Sequence, residues 1–120
     1  MNPEKLQKNA RKASVLLKAM SNEHRLLILC RLVAGEKSVG ELVRLVGLSQ
    51  SALSQHLARL RRDNLVRTRR EAQTIYYALA SDDAVAVLER LDALYCSADG
   101  RRAGDRADGQ ARRPIAVAHP

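Results

Sequence analysis

Residues 38–64, SVGELVRLVGLSQSALSQHLARLRRDN, contain two short apolar patterns at helical spacing that are joined by a tight turn. Ser38 and Glu41 form an S-x-x-E capping box, which predicts the start of the first helix. Gly47 follows the apolar stripe of that helix, and Ser49 is suited to cap the second helix. Two helices separated by a turn that contains glycine predict a helix-turn-helix, a motif whose second helix enters the DNA major groove.

The second of these helices has two faces of different chemistry. Leu53, Leu57 and Leu60 recur at i, i+4 and i+7, so they form the stripe that faces the core. His56 lies beside this stripe and is predicted at the edge of the core. On the opposite flank, glutamine can pair with adenine, serine with several base edges, and arginine with phosphates. The predicted DNA contacts of this helix are Gln50, Ser51, Ser54, Gln55, Arg59 and Arg62. The alternative is a polar face that only meets solvent.

A second candidate DNA-binding element follows. Residues 65–79, LVRTRREAQTIYYAL, contain two runs of period two around Glu71 and Ala72, which predicts a β-hairpin. Basic side chains near a hairpin tip suit the minor groove or the flanking phosphates. The predicted DNA contacts of the hairpin are Arg67, Arg69, Arg70, Gln73 and Thr74. A charged edge that only deters aggregation is the alternative.

Further apolar patterns predict helices on both sides of this region. Residues 6–20 predict one N-terminal helix, RLLILCRLV predicts a second helix buried on several sides, and Ser81 caps a final helix. The order is α-α-α-α-β-β-α, a mainly α winged helix-turn-helix with a small β-hairpin. The end helices are long and apolar for so small a body, which predicts a dimer. This domain covers residues 1–96, and residues 97–120, without periodicity, are expected to form a disordered basic tail.

The composition limits the classes of protein. The 120 residues suit one domain, and aromatic residues make up only 2%, so the core must be aliphatic. The formal net charge of +8 favours a polyanionic partner such as double-stranded DNA. No signal peptide or membrane-spanning segment is recognisable, so a cytoplasmic protein is expected. No nucleophile–base pair or phosphate loop stands at recognisable spacing, so neither an enzyme nor a cofactor is expected.

Three segments together carry a family resemblance. The run from Asn22 to Tyr77 is similar to the ArsR/SmtB family of bacterial repressors. The segments that carry this similarity are NEHRLLIL, SVGELVRLVGLSQSALSQHLARLRRDNLV and the hairpin RTRREAQTIYYAL. The resemblance implies a dimeric winged-helix repressor that a ligand releases from a palindromic operator. Many members sense metal ions through a Cys-x-Cys pair on the third helix. The matching positions here hold Val43 and Leu45, and the last helix offers no histidine, so no metal site is expected.

The chain has two cysteines, Cys30 in the second helix and Cys96 at the end of the last helix. This arrangement resembles the BigR/SqrR-like branch of the family. The resemblance implies that persulfide or polysulfide joins the two thiols through a sulfur bridge and that the bridged repressor leaves its operator. Such chemistry requires a thiolate, so at least one cysteine is expected to be accessible with a lowered pKa.

Three alternatives to this redox function stay open. The two cysteines are, in the simplest case, small buried hydrophobic residues. In the second case the chain is a metal- or metalloid-responsive repressor, in which both thiolates and a third ligand bind the effector. In the third case it is an effector-independent DNA-binding protein, for which binding depends steeply on salt without sequence preference.

Overall fold

The computed structural model describes residues 1–96, so the predicted tail at 97–120 lies outside the described residues. The elements are α1 (Pro3–Lys8), α2 (Ala10–Met20), α3 (Glu23–Val33), β1 (Lys37–Ser38), α4 (Val39–Val46), α5 (Gln50–Arg62), β2 (Val66–Glu71), β3 (Thr74–Leu79) and α6 (Asp82–Tyr95). The predicted mainly α winged helix-turn-helix is confirmed, with two corrections. The N-terminal helix is broken into two, and the hairpin belongs to a three-stranded sheet.

The prediction of one helix over residues 6–20 was wrong because of Asn9. Its backbone leaves the helical region, with φ −106° and ψ 14°, and it ends α1 and precedes α2. The Asn9 side-chain amide donates to the carbonyl oxygen of Lys5 at 3.1 Å. Asparagine competes in this way for backbone groups that would otherwise continue a helical ladder. The apolar spacing on both sides of Asn9 conceals this local break.

The additional strand β1 pairs antiparallel with β3 and gives the sheet order β1-β3-β2. Lys37 lies opposite Tyr77, and Ser38 lies opposite Tyr76. A two-residue strand has no recognisable period, so only its partner reveals it. Ser38 ends β1 and also caps α4, which connects the sheet directly to the first helix of the helix-turn-helix.

Local capping interactions fix the ends of the two central helices. The Glu41 N–H donates to Ser38 Oγ at 3.1 Å and the Ser38 N–H donates to Glu41 Oε1 at 2.8 Å, which confirms the capping box. Gly47 adopts a left-handed conformation with φ 77°, which glycine accepts without steric cost. The Ala52 N–H donates to Ser49 Oγ at 3.1 Å, so α5 begins where the sequence predicts.

The core is aliphatic and is centred on α3. Helix α3 packs against α2, α4, α5, α6 and β3. The leucine stripe of α5 is buried as predicted, and each such side chain contributes about 1.5–3 kcal/mol relative to an exposed one. The buried side chains of α3, α4 and α5 are Ile28, Leu29, Leu32, Leu42, Leu53, Leu57 and Leu60. Because α3 packs against four helices and one strand, a shift of α3 would displace several elements of the domain.

The terminal helices leave apolar side chains uncovered. Leu17 of α2 is 54% exposed, and Tyr95 of α6 is 61% exposed. Leu6, Val15 and Leu94 extend this uncovered apolar set over α1, α2 and α6. None of the helices within residues 1–96 is both long and apolar enough to cross a bilayer.

Candidate functional site

The structure separates the two faces of α5 as the sequence predicts. Its leucines are buried in the core, whereas the predicted DNA-reading side chains on the other flank meet solvent. The exposed members are Gln50, Ser51, Ser54, Gln55 and Arg62. These side chains are short or flexible and carry few charges, so the flank can approach base edges closely.

Arg59 is the predicted contact of α5 that is least accessible. Its Nε donates to Asp63 Oδ2 at 3.0 Å, and 34% of the side chain is exposed. Arg62 lies on the other side of the same carboxylate, with its Nε 3.6 Å from Asp63 Oδ1. Asp63 therefore orients two basic side chains at the C-terminal end of α5, where positive charge is favoured by the helix dipole.

The wing, which we define as residues 66–79, presents the other predicted contacts. β2 and β3 pair from Val66 opposite Leu79 to Glu71 opposite Thr74, so the turn lies at Ala72 and Gln73. Four of the predicted contacts are exposed without an ion pair among the described residues: Arg67, Arg70, Gln73 and Thr74. Arg67 Nη1 donates to the carbonyl oxygen of Leu79 at 2.7 Å, which steadies the base of the wing.

Arg69 differs from its neighbours because its guanidinium is surrounded by partners. Its Nε and Nη2 donate to Glu36 at 2.7 and 2.9 Å, and its Nη1 donates to Glu71 Oε1 at 2.8 Å. Its Cζ also lies 4.5 Å from the centre of the Tyr76 ring. These bonds raise the pKa of Arg69 and hold the pKa of the Glu36 carboxyl below its usual value. Sequence reasoning missed Glu36 because 33 positions separate it from Arg69 and no local pattern links them.

His56 lies at the core edge, as predicted, and meets a second histidine. The rings of His56 and His24 are 5.7 Å apart between centroids, with planes tilted by 38°. Partial burial lowers the pKa of His56, and the neighbouring Arg25 and His24 lower it further. His24 Nδ1 is buried and has no hydrogen-bond partner among the described residues. The junction between α3 and α5 therefore favours neutral His56.

Arg25 extends this junction to α2. Its Nε donates to the carbonyl oxygen of Ala19 at 2.6 Å, and its Nη2 donates to that of Lys18 at 3.2 Å. Basic side chains commonly satisfy the unpaired carbonyl groups at a helix C-terminus in this way. One side chain consequently ties the C-terminal end of α2 to α3.

The two cysteines lie on neighbouring helices, since α3 packs against α6. Cys30 is half-buried on α3, Cys96 is half-buried at the C-terminal end of α6, and neither is in a disulfide. Burial raises the pKa of the Cys30 thiol most, and the negative charges of Cys96 and Asp92 raise it further, against the opposite effect of Arg31. The fold thus brings two thiols that are distant in the sequence within mutual electrostatic range.

The expectation of a lowered cysteine pKa was wrong. Burial also raises the pKa of Cys96, and the Asp92 carboxylate raises it through its charge and a hydrogen bond. Asp92 precedes Cys96 by one helical turn, and the Cys96 N–H donates to the Asp92 carbonyl oxygen at 2.8 Å. The C-terminal end of a helix also disfavours negative charge. Sequence spacing alone could have identified Asp92 as the carboxylate beside this thiol.

Residues 1–96 contain no cluster of three or more histidine, cysteine, aspartate or glutamate side chains placed to hold a metal ion. Val43 and Leu45 occupy the family's Cys-x-Cys positions and lie on α4. This is the third helix of the resemblance, because the predicted first helix is divided into α1 and α2. The expected absence of a metal site stays a prediction.

Comparison with known proteins connects these features to a family. The family described as "Bacterial regulatory protein, arsR family" matches residues 22–68, from the α3 cap to the start of the wing. The transcriptional activator HlyU of Vibrio cholerae is 60% identical over 99 residues, which are 82% of this chain and 92% of HlyU.

Solved structures give the same result. Reduced HlyU from Vibrio cholerae is similar with a TM-score of 0.73 and 60% identity, over 78% of this chain and 98% of HlyU. The repressor BigR from Xylella fastidiosa has a TM-score of 0.77 and 40% identity, over 80% and 98%. A homodimeric winged helix-turn-helix domain of a possible ArsR-family regulator from Mycobacterium bovis has a TM-score of 0.69 and 25% identity, over 81% and 90%. The chain therefore belongs to the ArsR family of bacterial regulatory proteins and is a DNA-binding transcriptional regulator with a winged helix-turn-helix.

Proposed function

We propose that this chain is a homodimeric repressor that acts on DNA in the cytoplasm and senses persulfide or polysulfide through Cys30 and Cys96. The proximity of these two thiols on α3 and α6 carries the proposal. One relative is named an activator and another a repressor, so repression by this chain belongs to the proposal. In the reduced state the protein binds a palindromic operator, and a sulfur bridge releases it.

In the proposed complex α5 reads the operator and the wing contacts its flanks. Ser51, Ser54 and Gln55 meet base edges in the major groove, since short polar side chains can pair there. Basic and amide side chains around them meet phosphates, which fix the position of the protein without reading sequence. The phosphate and flanking contacts are Gln50, Arg59, Arg62, Arg67, Arg70, Gln73 and Thr74. Arg69 belongs to the wing as well, but carboxylates occupy both edges of its guanidinium.

The uncovered apolar side chains of the terminal helices support a dimer. Leu17 and Tyr95 are more than half exposed, and burial of such groups is the main driving force of association. A related domain from Mycobacterium bovis is homodimeric. A twofold dimer presents two α5 helices to half-sites about 34–36 Å apart, so its operator is an inverted repeat.

The proposed sensing reaction is a thiol–polysulfide exchange. One cysteine thiolate attacks the central sulfur of an organic trisulfide, RS–S–SR, and displaces RS⁻, which leaves a mixed trisulfide on the protein. The second thiolate attacks the same central sulfur and displaces the remaining RS⁻. In the product, Cys30 Sγ and Cys96 Sγ are joined through one added sulfur atom. The two cysteine protons appear on two RSH molecules. The thiols are oxidised by two electrons, and the sulfur atoms bonded to R are reduced.

The raised pKa of both thiols predicts a slow reaction that accelerates with pH. Only the thiolate attacks, and burial together with Asp92 keeps the thiolate fraction small near neutral pH. A strong sulfane-sulfur donor is consequently needed, which suits a sensor that ignores low concentrations of oxidant.

A bridge between α3 and α6 can reach the DNA-binding surface through packing. α3 contacts α5, and α6 carries part of the uncovered apolar set. Fixing α3 against α6 changes where the two α5 helices of a dimer stand relative to each other. A coupling free energy of about 1–3 kcal/mol suffices for roughly 5- to 150-fold weaker operator binding.

The test compares the reduced and the trisulfide-treated protein. The probe is a labelled duplex that the reduced wild-type chain enriches from a random-sequence pool. We expect treatment to weaken binding at least fivefold and mass spectrometry to show a peptide pair joined through Cys30 and Cys96 with one added sulfur. Cys30→Ser and Cys96→Ser should bind the duplex and lose the response.

The same binding assay, extended to metal ions and to several salt concentrations, separates the alternatives. Release that persists in a variant that combines Cys30→Ser and Cys96→Ser contradicts the dithiol mechanism. Tight stoichiometric binding of As(III) or Zn(II) that weakens the complex favours a metal- or metalloid-responsive repressor. Failure to enrich any sequence, together with a steep salt dependence, favours an effector-independent DNA-binding protein.

A further inference from the structure

Arg69 crosses the central strand of the sheet. It lies on β2 directly opposite Tyr76 on β3, so the two side chains project from the same face. The guanidinium covers the Tyr76 ring and reaches Glu36, the residue that precedes β1 on the far side of β3. One side chain therefore connects β2 and β3 to the residue that leads into β1.

The contact with Glu36 is a bidentate pair, the strongest geometry that arginine forms with a carboxylate. Nε donates to Oε2 at 2.7 Å and Nη2 donates to Oε1 at 2.9 Å, while Nη1 donates to Glu71. The Arg69 side chain is 50% exposed and that of Glu36 is 34% exposed, so solvent screens the pair in part. The shared ring and the second carboxylate make it a network rather than an isolated surface pair.

This network joins the wing to the start of the helix-turn-helix. Glu36 is followed by β1, and Ser38 at the end of β1 caps α4 through the Glu41 capping box. α4 packs against α5. The Arg69–Glu36 pair and the short backbone segment from Glu36 to Ser38 therefore connect the wing to the helices that carry the proposed base contacts.

Arg69 itself is poorly suited to a DNA phosphate. One positive charge faces the carboxylates of Glu36 and Glu71, so the group as a whole is not cationic. A phosphate would have to displace a bidentate carboxylate and would lie near the other one. Arg67 and Arg70, without a described ion pair, are available for that contact.

We propose that Glu36 and Arg69 form a wing latch, a positioning pair that sets the angle of the wing against α4 and α5 for DNA binding. The latch rests on the proposed contact of the wing with DNA. In this role Glu36 increases the affinity for DNA, although it places a negative charge near a polyanion. An ordinary surface carboxylate would decrease that affinity.

The test measures whether DNA affinity falls or rises when a carboxylate beside Arg69 is neutralised. Glu36→Gln and Glu71→Gln each remove one negative charge beside Arg69 in the full-length protein, but only Glu36→Gln cuts the connection to β1. We expect Glu36→Gln to weaken binding of the enriched duplex by about fivefold, and Glu71→Gln to bind as tightly as the wild type or more tightly. Arg69→Lys, which keeps the charge and loses the bidentate pair, should resemble Glu36→Gln.

The result that overturns the latch is unchanged or tighter binding by Glu36→Gln. If Arg69 is a phosphate contact that Glu36 screens, both glutamine variants bind more tightly, and the slope of log K against log salt steepens by about 0.9. Urea unfolding checks that the variants remain folded. Hydrogen exchange in the pairing between β1 and β3 should be faster in Glu36→Gln and Arg69→Lys but not in Glu71→Gln.

A separate variant distinguishes failure of the latch from failure of the wing contact. Replacing Arg70 and Gln73 by alanine removes the wing tip without touching Glu36 or Arg69. If this variant binds the duplex like the wild type, the wing does not contact DNA and that part of the proposed function fails. If the tip variant is weakened and Glu36→Gln is not, only the latch fails.

Discussion

The helix α5 and the wing both present exposed polar and basic side chains, but different forces hold them. α5 is held by three leucines that are almost completely buried. The base of the wing also packs on the core through Val66, Tyr77 and Leu79, but around Arg69 the wing is held by ion pairs and a stacked ring, all of them partly exposed. Apolar burial does not weaken with salt in the way that exposed ion pairs do. The position of α5 should therefore be robust, and that of the wing adjustable.

The largest effect should come from removing the anchor of α5. Leu57→Ala leaves a cavity under the helix, and we expect the free energy of unfolding to fall by about 2–5 kcal/mol. Urea unfolding measures this loss. Leu45→Ala is the matched control, since Leu45 is 39% exposed and its truncation should cost much less. Equal losses in both variants would contradict the view that α5 is held by its buried stripe.

The two regions should also differ in how strongly they recognise the DNA sequence. Gln55 lies on the exposed flank of α5, so Gln55→Ala should relax the preference for the enriched duplex over random duplexes by about 1–3 kcal/mol. Stability should hardly change because no buried atom is removed. Competition binding with both duplexes measures the preference. An unchanged preference would show that Gln55 is not one of the residues that recognise the base sequence.

The wing should contribute affinity without much selectivity. Arg70→Ala removes one exposed charge, and we expect weaker binding to all duplexes, with the slope of log K against log salt reduced by about 0.9. Binding titrations at several salt concentrations provide the slope. If Arg70→Ala instead lost affinity only for the enriched duplex, the wing would also recognise bases and would not differ from α5 in this respect.

The smallest effect concerns pH at the inner edge of α5. The pKa of His56 is lowered by burial, Arg25 and His24, and Arg59 and Asp63 lie near Arg25. The unfolded chain therefore binds the proton more readily, so stability is full above the ordinary pKa of about 6.5 and is lost as pH falls through the folded pKa.

Urea unfolding between about pH 8 and about pH 5 tests this expectation. His56→Gln should flatten that part of the profile relative to the wild type. A wild-type profile that rises on acidification would contradict the direction of the His56 shift.

Much of the fold could be predicted because its signals are local. The capping box at Ser38 and Glu41, the left-handed Gly47 and the leucine stripe of α5 each depend on residues a few positions apart. Periodicity also identified the wing and the exposed flank of α5. Asn9 shows the limit of this reasoning, since one side-chain hydrogen bond breaks a helix whose apolar spacing continues.

The chemistry near the sites depended on contacts between distant segments. β1 exists only because Tyr76 and Tyr77 supply its ladder, and the wing latch joins Glu36 to a residue 33 positions away. The pKa of a thiol depends on burial and on the charges around it, which is why both cysteines differ from the expectation.

The sequence by itself therefore determined the winged helix-turn-helix and the polar flank of α5, because capping and periodicity act within one or two helical turns. Only the tertiary structure decided that Arg69 faces carboxylates, that His56 meets His24, and that Cys30 lies within the field of Cys96 and Asp92. Electrostatic interactions depend on distance in space and on exclusion of water, and the order of residues along the chain encodes neither quantity directly.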